Sequence, residues 1–350
     1  MVLGAGRRAG CRQPAGASEE RYGPMLVIDA AAVRELFPMP AAIEQMREAL
    51  ERYSAATVVQ PLRTVVQPQG AAGLMAAMPA WAGPDRGFGI KTVTIHPGNP
   101  ARGLDTHQGT VTMFDRETGV PTAVLDAAAI TEIRTAAVSA VATRALAAED
   151  ARDLAIVGAG AQARSHLEAM ASVRRLERIR VWNRTHAHAK ALAEWAGDRF
   201  GPPLEVRDSV AEALDGADLV CTAVASVEPV VSGDMLAPGA HVNAVGACLP
   251  NVRELSTGAV AAATVFADSR QSALAEAGDL VIPIRAGDLT KDHIVAEIGE
   301  VLLGRHAGRT GTDEVTLFKS LGLAIEDVMA GAYIESQARS RGLGTQAPLS

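Results

Sequence analysis

A doubly wound parallel α/β sheet domain, inserted into a mixed α+β domain, is the architecture the sequence predicts, and three observations carry it. The apolar run Ala155-Ile156-Val157 enters the turn Gly158-Ala159-Gly160-Ala161-Gln162-Ala163, which opens a helical pattern through Leu167 and Met170. Strand-like runs follow at βαβ spacing: Arg180-Val181-Trp182, Leu219-Val220-Cys221-Thr222 and His241-Val242-Asn243-Ala244-Val245-Gly246. Upstream, residues 63–125 change texture to short alternating runs punctuated by Gly and Pro, as antiparallel strands and turns require.

The first of these is the layout of a dinucleotide site of Rossmann type. Gly158 permits the tight turn, Gly160 lets the backbone approach a pyrophosphate, and Ala163 allows close helix–strand packing. The free N–H groups of the helix N-terminus then face phosphate. An acidic residue about 20 positions past the glycines would bond the ribose 2′-OH of NAD, whereas an Arg there accommodates the 2′-phosphate of NADP. The residues found are Asn183, Arg184 and Thr185, which suit a phosphate and include no carboxylate to repel it. NADP(H) is therefore the expected cofactor, with NAD(H) second.

From the N-terminus, residues 1–24 are rich in Gly, Ala and Arg, without hydrophobic periodicity or the apolar stretch of a signal peptide. They read as a disordered extension ahead of a start at Met25. A helix begins near Pro40, with Ile43, Met46, Leu50 and Tyr53 on one face. After the strands of 63–125, an Ala-rich helical pattern spans Thr131 to Ala148. Past the glycine turn and the runs above, the last strand is expected at Thr264–Ala267, a loop or short strand over Glu276–Asp288, and a helix over Asp292–Leu303. A closing helix ends near Arg339 and has nowhere to pack in a completed doubly wound sheet, so it should return to the first domain. The expected division is 25–150 plus 316–350 around an inserted 151–315.

With 350 residues, 48% of them apolar and 21% charged, the chain fits two globular domains. No apolar run approaches the roughly 18 residues that cross a bilayer. A formal charge of −7 with 3% aromatic residues argues against nucleic acid as a partner. Cys11, Cys221 and Cys248 are widely spaced and odd in number, which fits a reducing cytoplasm, and Cys221 reads as a small buried hydrophobe. No set of His and Cys has metal-ligand spacing.

A nicotinamide enzyme needs a group that orients the substrate and a proton donor matched to hydride transfer. The candidates are Arg63, Lys91, His96, His107 and Arg134. Lys91 opens an apolar strand, where desolvation would lower its pKa, although a surface charge is the commoner role of such a lysine; Arg63 with Arg134 would hold a carboxylate, or each would serve as a structural ion-pair partner. For His96 and His107 a hydrogen-bonded structural role is expected.

The succession Arg63, Ile90-Lys91-Thr92-Val93, Pro97-Gly98-Asn99-Pro100, Gly103 to Gly109 and Ile133-Arg134-Thr135-Ala136 resembles the ornithine cyclodeaminase/mu-crystallin family. Gly158 to Gln162, Val181 to Thr185, Asn243 to Ala247, Glu276-Ala277-Gly278-Asp279 and Leu317 to Gly322 extend the likeness over nearly all of 25–343. The resemblance implies a homodimer, a substrate and dimerisation domain completed by the closing helix, and an inserted Rossmann domain. It implies that Arg63 and Arg134 hold a substrate carboxylate, that Lys91 is the acid/base, and that Arg134 also borders the cofactor. Thr106, Ala161, Gln162, Asn183, Arg184, Thr185, Val224, Val245, Gly246 and Ser320 would lie along the cofactor with Gly158 and Gly160. The tract 181–185 is similar to the NADPH-using ketimine reductase branch.

Two positions depart from the pattern. Cyclodeaminases resemble one another in an Asp where this chain has Cys248, and a thiol does not replace that carboxylate at neutral pH. Val224 stands where many relatives have Thr. The expectation is thus an NADP-dependent reductase of a cyclic ketimine carboxylate, Δ1-pyrroline-2-carboxylate or Δ1-piperideine-2-carboxylate, giving L-proline or L-pipecolate. The rivals are an ornithine cyclodeaminase, an alanine-dehydrogenase-like deaminase, and a non-catalytic NADP-dependent binding protein.

Overall fold

The computed structural model describes residues 24–348, so the extension expected over 1–24 lies outside the described residues except for Pro24. Strand β1 (Met25–Ile28) leads into α1 (Ala30–Leu36) and α2 (Met39–Ser54). Pro40 sits in the first turn of α2, where its missing N–H has no intrahelical partner to lose. Ile43, Met46 and Leu50 of α2 are fully buried, each worth ~1.5–3 kcal/mol relative to exposure. Then come β2 (Thr64–Val66), β3 (Leu74–Trp81), β4 (Phe88–Ile95), β5 (His107–Phe114) and β6 (Pro121–Asp126). Strands β2 to β6 form an antiparallel meander, and β1 pairs in parallel with β6.

Helix α3 (Ala127–Leu146) starts four residues before the predicted Thr131, because Asp126 caps it by accepting the Ala129 N–H at 2.7 Å. Every residue from Arg134 to Thr143 is buried, since α3 packs on α2 and on the first helix of the second sheet. A helix covered all round shows no apolar stripe, and its small alanines let neighbours approach.

The second layer runs β7 (Asp153–Val157), α4 (Ala161–Val173), β8 (Arg178–Trp182), α5 (His186–Ala196), β9 (Leu204–Val206), α6 (Val210–Leu214), β10 (Leu219–Thr222), β11 (His241–Ala244), α7 (Thr257–Ala261) and β12 (Thr264–Ala267). It continues through α8 (Arg270–Glu276), α9 (Gly278–Ala286), β13 (Ile294–Glu297), α10 (Ile298–Leu302) and β14 (Thr316–Lys319). All eight strands are parallel, in the order β13-β12-β14-β11-β10-β7-β8-β9. Strand order reverses between β7 and β10, the switch point at which such sheets open a crevice beyond their strand ends.

Three expectations are corrected here. Glu276–Asp288 is helical, not loop or strand: Ser269 caps α8, and Pro283 sits within α9. Asp292–Leu303 is not one helix, because Ile294 and Ala296 are buried between exposed or half-buried neighbours in the period of a strand before α10 begins. Thr264–Ala267 is not the last strand, since β13 pairs with it on one side and β14 on the other. The chain therefore leaves the second sheet after Lys319 and not at 316. A four-residue strand buried on both faces carries no periodicity by which to assign it to a sheet.

Helix α11 (Ala324–Arg341) lies on β3, β4 and β5 and against α2. Val328 sits over Gly89, and Gly331 over Met113, so absent side chains bring helix and sheet together. The chain closes with β15 (Thr345–Ala347) antiparallel to β1, completing a first sheet in the order β15-β1-β6-β5-β4-β3-β2. Among the described residues no helix is long and apolar enough to cross a membrane.

Candidate active site

The second sheet delivers its predicted residues to one edge, because parallel strands place all their C-terminal ends together. Gly158 follows β7 at φ +121°, and a Cβ there would lie 2.6 Å from the Ala223 carbonyl oxygen. Gly160 begins α4 with no side-chain cap, and a Cβ there would meet nothing within 4 Å. The first N–H groups of α4 thus look into open space that a pyrophosphate suits. Ala161 is exposed, and Gln162 donates to the Thr131 carbonyl at 3.3 Å. Beyond β8, Asn183 donates to the Thr185 carbonyl at 2.9 Å, Thr185 precedes α5, and the Arg184 side chain is exposed.

After β10 and β11, Val224 and Gly246 stand side by side, tied by a carboxylate the sequence did not announce, and Val245 beside them donates its N–H to the Thr222 carbonyl at 3.0 Å. Glu254 is fully buried and accepts the N–H groups of Val224 at 2.8 Å, Gly246 at 2.7 Å and Ala247 at 3.2 Å. Its own N–H goes to Asp279, which pairs with buried Lys319 at 2.8 Å. Burial raises the Glu254 pKa, and Lys319 opposes that rise. Ser320, after β14, is buried with a hydroxyl that has no partner among the described residues. Thr106 lies half-buried between β4 and β5, and nothing in the geometry ties its side chain to this edge.

The three basic candidates converge from separate elements. Lys91 projects from the helix-covered face of β4, with Nζ 2.6 Å from the Asp327 carboxylate of α11 and 3.4 Å from Thr131 Oγ1. Arg134 of α3 meets the other Asp327 oxygen through Nε at 3.1 Å, and Glu326 through NH1 at 2.8 Å. Arg63 pairs with Glu276 at 3.0 Å and donates through NH2 to the carbonyls of Leu321, at 2.7 Å, and Gly322, at 3.0 Å. The same turn is held from behind by Asp268, which accepts the N–H groups of Leu321 and Gly322. Gly322 has φ +81°, and a Cβ there would lie 2.5 Å from the Arg134 guanidinium. Thr131 joins the two clusters, its hydroxyl near Lys91 and its carbonyl bonded by Gln162 of the glycine turn.

Burial pushes the Lys91 pKa down to about 8, with Asp327 resisting and Arg134 adding to the fall. Burial likewise works against the Arg134 charge, but Asp327 and Glu326 outweigh it and raise the guanidinium's pKa. Glu326 is pushed up to about 7 by burial, against Arg134. Neither His96 nor His107 finds a ring hydrogen bond among the described residues, contrary to their expected role. His96 packs its ring on Gly73 instead. Cys248 is half-buried after β11, and Cys221 is fully buried with its thiol pushed up to about 12, an inert position.

Asp268, Glu326 and Asp327 carried one signal in the sequence, and Glu254 carried none. Each of these three is a carboxylate within or directly after an apolar run, Glu326-Asp327 most visibly, in the first turn of a helix rich in Ala.

This pairing of a glycine-turn crevice with a buried lysine and two arginines defines a nicotinamide oxidoreductase of Rossmann type. Residues 25–342 match the ornithine cyclodeaminase/mu-crystallin family, and the chain belongs to it. It is 38% identical over 321 residues to a Delta(1)-pyrroline-2-carboxylate reductase of Bacillus cereus, covering 91% of this chain and 98% of that one. It is 39% identical over 278 residues to the ketimine reductase mu-crystallin of Mus musculus, covering 79% and 84%. The Thermococcus litoralis Delta(1)-pyrroline-2-carboxylate reductase, solved in complex with NADH and L-proline, superposes with a TM-score of 0.90 at 33% identity, covering 92% of this chain and all of that one.

Proposed function

We propose that this protein reduces a cyclic ketimine carboxylate, Δ1-pyrroline-2-carboxylate or its six-membered homologue, to the corresponding L-imino acid, and prefers NADPH. The observation that carries the reading is Thr131, which puts the Lys91 ammonium one residue from the glycine turn. When bound at the glycine turn, a reduced nicotinamide would supply the hydride that the imine carbon accepts. The proton for the imine nitrogen comes from Lys91 Nζ, which is left as an amine and reprotonated from solvent. A pKa of about 8 keeps the lysine charged at neutral pH yet ready to give up its proton. Arg63 keeps NH1, and Arg134 keeps NH2, without a hydrogen-bond partner among the described residues. These two nitrogens take the substrate carboxylate and set the imine carbon against the ring, and such positioning is worth several kcal/mol of barrier. Gly158, Gly160, Ala161 and Gln162 take the pyrophosphate, while Val224, Val245, Gly246 and Ser320 border the nicotinamide half, as does Thr106 by resemblance. The first sheet with α11 is the substrate half, and the second sheet the cofactor half.

NADPH preference rests on Arg184, an exposed guanidinium beside Asn183 and Thr185 with no carboxylate among them. Absorbance of NADPH and NADH is followed with both cyclic ketimines and with pyruvate plus ammonia, and ammonia and proline release is followed with ornithine plus NAD, because cyclodeamination leaves no net change in the cofactor. NADPH-selective consumption with a ketimine is expected. Turnover only with pyruvate plus ammonia or with ornithine reassigns the reaction, and tight NADPH binding without turnover makes this a binding protein. Arg184→Ala should raise the KM for NADPH about tenfold, the weight of one exposed charge-assisted hydrogen bond, and leave that for NADH unchanged. Equal effects on both cofactors would remove Arg184 from the 2′-phosphate site.

A homodimer is part of the reading. The face of the first sheet opposite α11 is uncovered and presents apolar side chains and threonines, among them Val66, Met75, Phe88, Ile90, Thr112 and Val124. Such a face is a liability on a monomer and fits a second copy of itself. Sedimentation should give twice the 36.3 kDa chain mass, and Thr112→Arg should give the chain mass itself. A wild-type monomer would refute the dimer. The two free thiols among the described residues, Cys221 and Cys248, suit a reducing cytoplasm.

A further inference from the structure

We propose that Asp327 is a positioning residue for the reduction: it locks Lys91 and Arg134 into one constellation and supplies the countercharge that keeps the Lys91 ammonium loaded. The proposal rests on Lys91 as the proton donor and adds a requirement that the reaction alone does not impose.

Both oxygens of Asp327 are committed, one to Lys91 at 2.6 Å and one to Arg134 Nε at 3.1 Å, and the side chain is fully buried. It therefore has no free edge for substrate, and acts through the two cations it joins. Those cations are themselves nearly inaccessible and repel one another, so a bridging anion fixes their spacing as well as their charge.

The other groups around Lys91 do not supply this anion. Helix α3 contributes Arg134 and the neutral Thr131. The segment before β2 contributes Arg63, whose charge also works against the ammonium, and β5 contributes His107. On α11, Glu326 pairs with Arg134 and not with Lys91, and burial favours its neutral form. Asp268 and Glu276 bind the turn at 321–322 and Arg63. Without Asp327, burial and two guanidinium charges act on Lys91 unopposed, and it loses its proton before it can give it to the imine.

The chain has four lysines, Lys91, Lys190, Lys291 and Lys319, so 13Cε-lysine labelling gives a spectrum in which Lys91→Met identifies one resonance. In full-length Asp327→Asn the Lys91 resonance should titrate about one pH unit or more below wild type. The alkaline limb of kcat/KM should move down by the same amount, with NADPH affinity retained. A Lys91 midpoint equal to or above that of wild type would overturn the proposal, whatever happens to turnover. The resonance reports without substrate, so an inactive wild type would sink the ketimine reading while this test still decides the role of Asp327. Should Asp327→Asn fail to fold, the double variant Lys91→Met/Asp327→Asn should fold, because the orphaned ammonium is gone. Failure of that double variant would show a structural role and also overturn the proposal.

Discussion

Lys91→Met is expected to lower kcat for the cyclic ketimine by roughly 10²–10⁴-fold, the range lost with a general acid. The Kd for NADPH should stay within about twofold, since a proton donor on the substrate side contributes to the transition state and not to cofactor binding. Stopped-flow hydride transfer and NADPH fluorescence titration separate the two quantities. The split follows from where the groups stand. Lys91 is linked to the glycine turn through Thr131, so methionine of similar length removes the Lys91–Thr131 hydrogen bond and leaves the Thr131–Gln162 contact beside the cofactor intact. It does leave Asp327 with Arg134 as its one cation. Arg134 already holds Asp327 and Glu326, so the carboxylate remains paired and the fold should survive. Parallel loss of NADPH affinity and of thermal stability would show that Lys91 is structural, and its proposed role would fall. In wild type, kcat/KM should decline as pH rises through about 8, where the ammonium is lost. Lys91→Met should lack that limb.

What could be read from the sequence divides by range. The glycine turn, the strand before it and the helix after it are local, so Gly158, Gly160 and Ala163 declare themselves by spacing alone. The doubly wound sheet follows from repeating the unit. Lys91, Arg63 and Arg134 could be named because a carboxylate substrate needs cations. Their partners could not: Arg134 meets Asp327 across 193 positions, and no periodicity connects α3 to a helix that returns from the far end of the chain. Glu254 was invisible for a different reason. It binds backbone N–H groups, which every sequence contains, so nothing in the residue types at 224 and 246 announces the bond. Strands β13 and β14 were lost to length: the four residues of β14 are buried on both faces and look alike in a helix or a sheet, and the alternation of β13 spans too few residues to declare a period. Thr106 marks the other limit, a residue placed by likeness for which the geometry offers no contact.

The stability gap between wild type and His166→Asn should change with pH by about 3 kcal/mol, and its direction is fixed by where the imidazole sits. His166 is fully buried, with Nδ1 2.8 Å from the Gln162 carbonyl and Nε2 2.9 Å from Ser139 Oγ. The carbonyl requires the proton on Nδ1, so Nε2 accepts from Ser139 and the neutral ring is satisfied. Burial pushes its pKa down to about 4, against the weaker pull of the Gln162 carbonyl. The unfolded chain takes up a proton near pH 6.5, while the folded chain does so only near 4. The neutral histidine's contribution is therefore intact above about pH 6.5 and is lost as pH falls from there to about 4. Asparagine keeps a donor for the carbonyl and does not titrate. The variant should be less stable than wild type at pH 7.5, and the difference should shrink by about 3 kcal/mol by pH 4. Comparing the two chains matters, because raised carboxyl groups such as Glu326 and Glu254 gain stability over the same acid range. They do so equally in both proteins and cancel in the difference. Urea unfolding at one protein concentration across this range measures the gap. A constant difference would mean that His166 takes up its proton at the same pH in the fold as in the unfolded chain, and that burial does not hold the ring neutral.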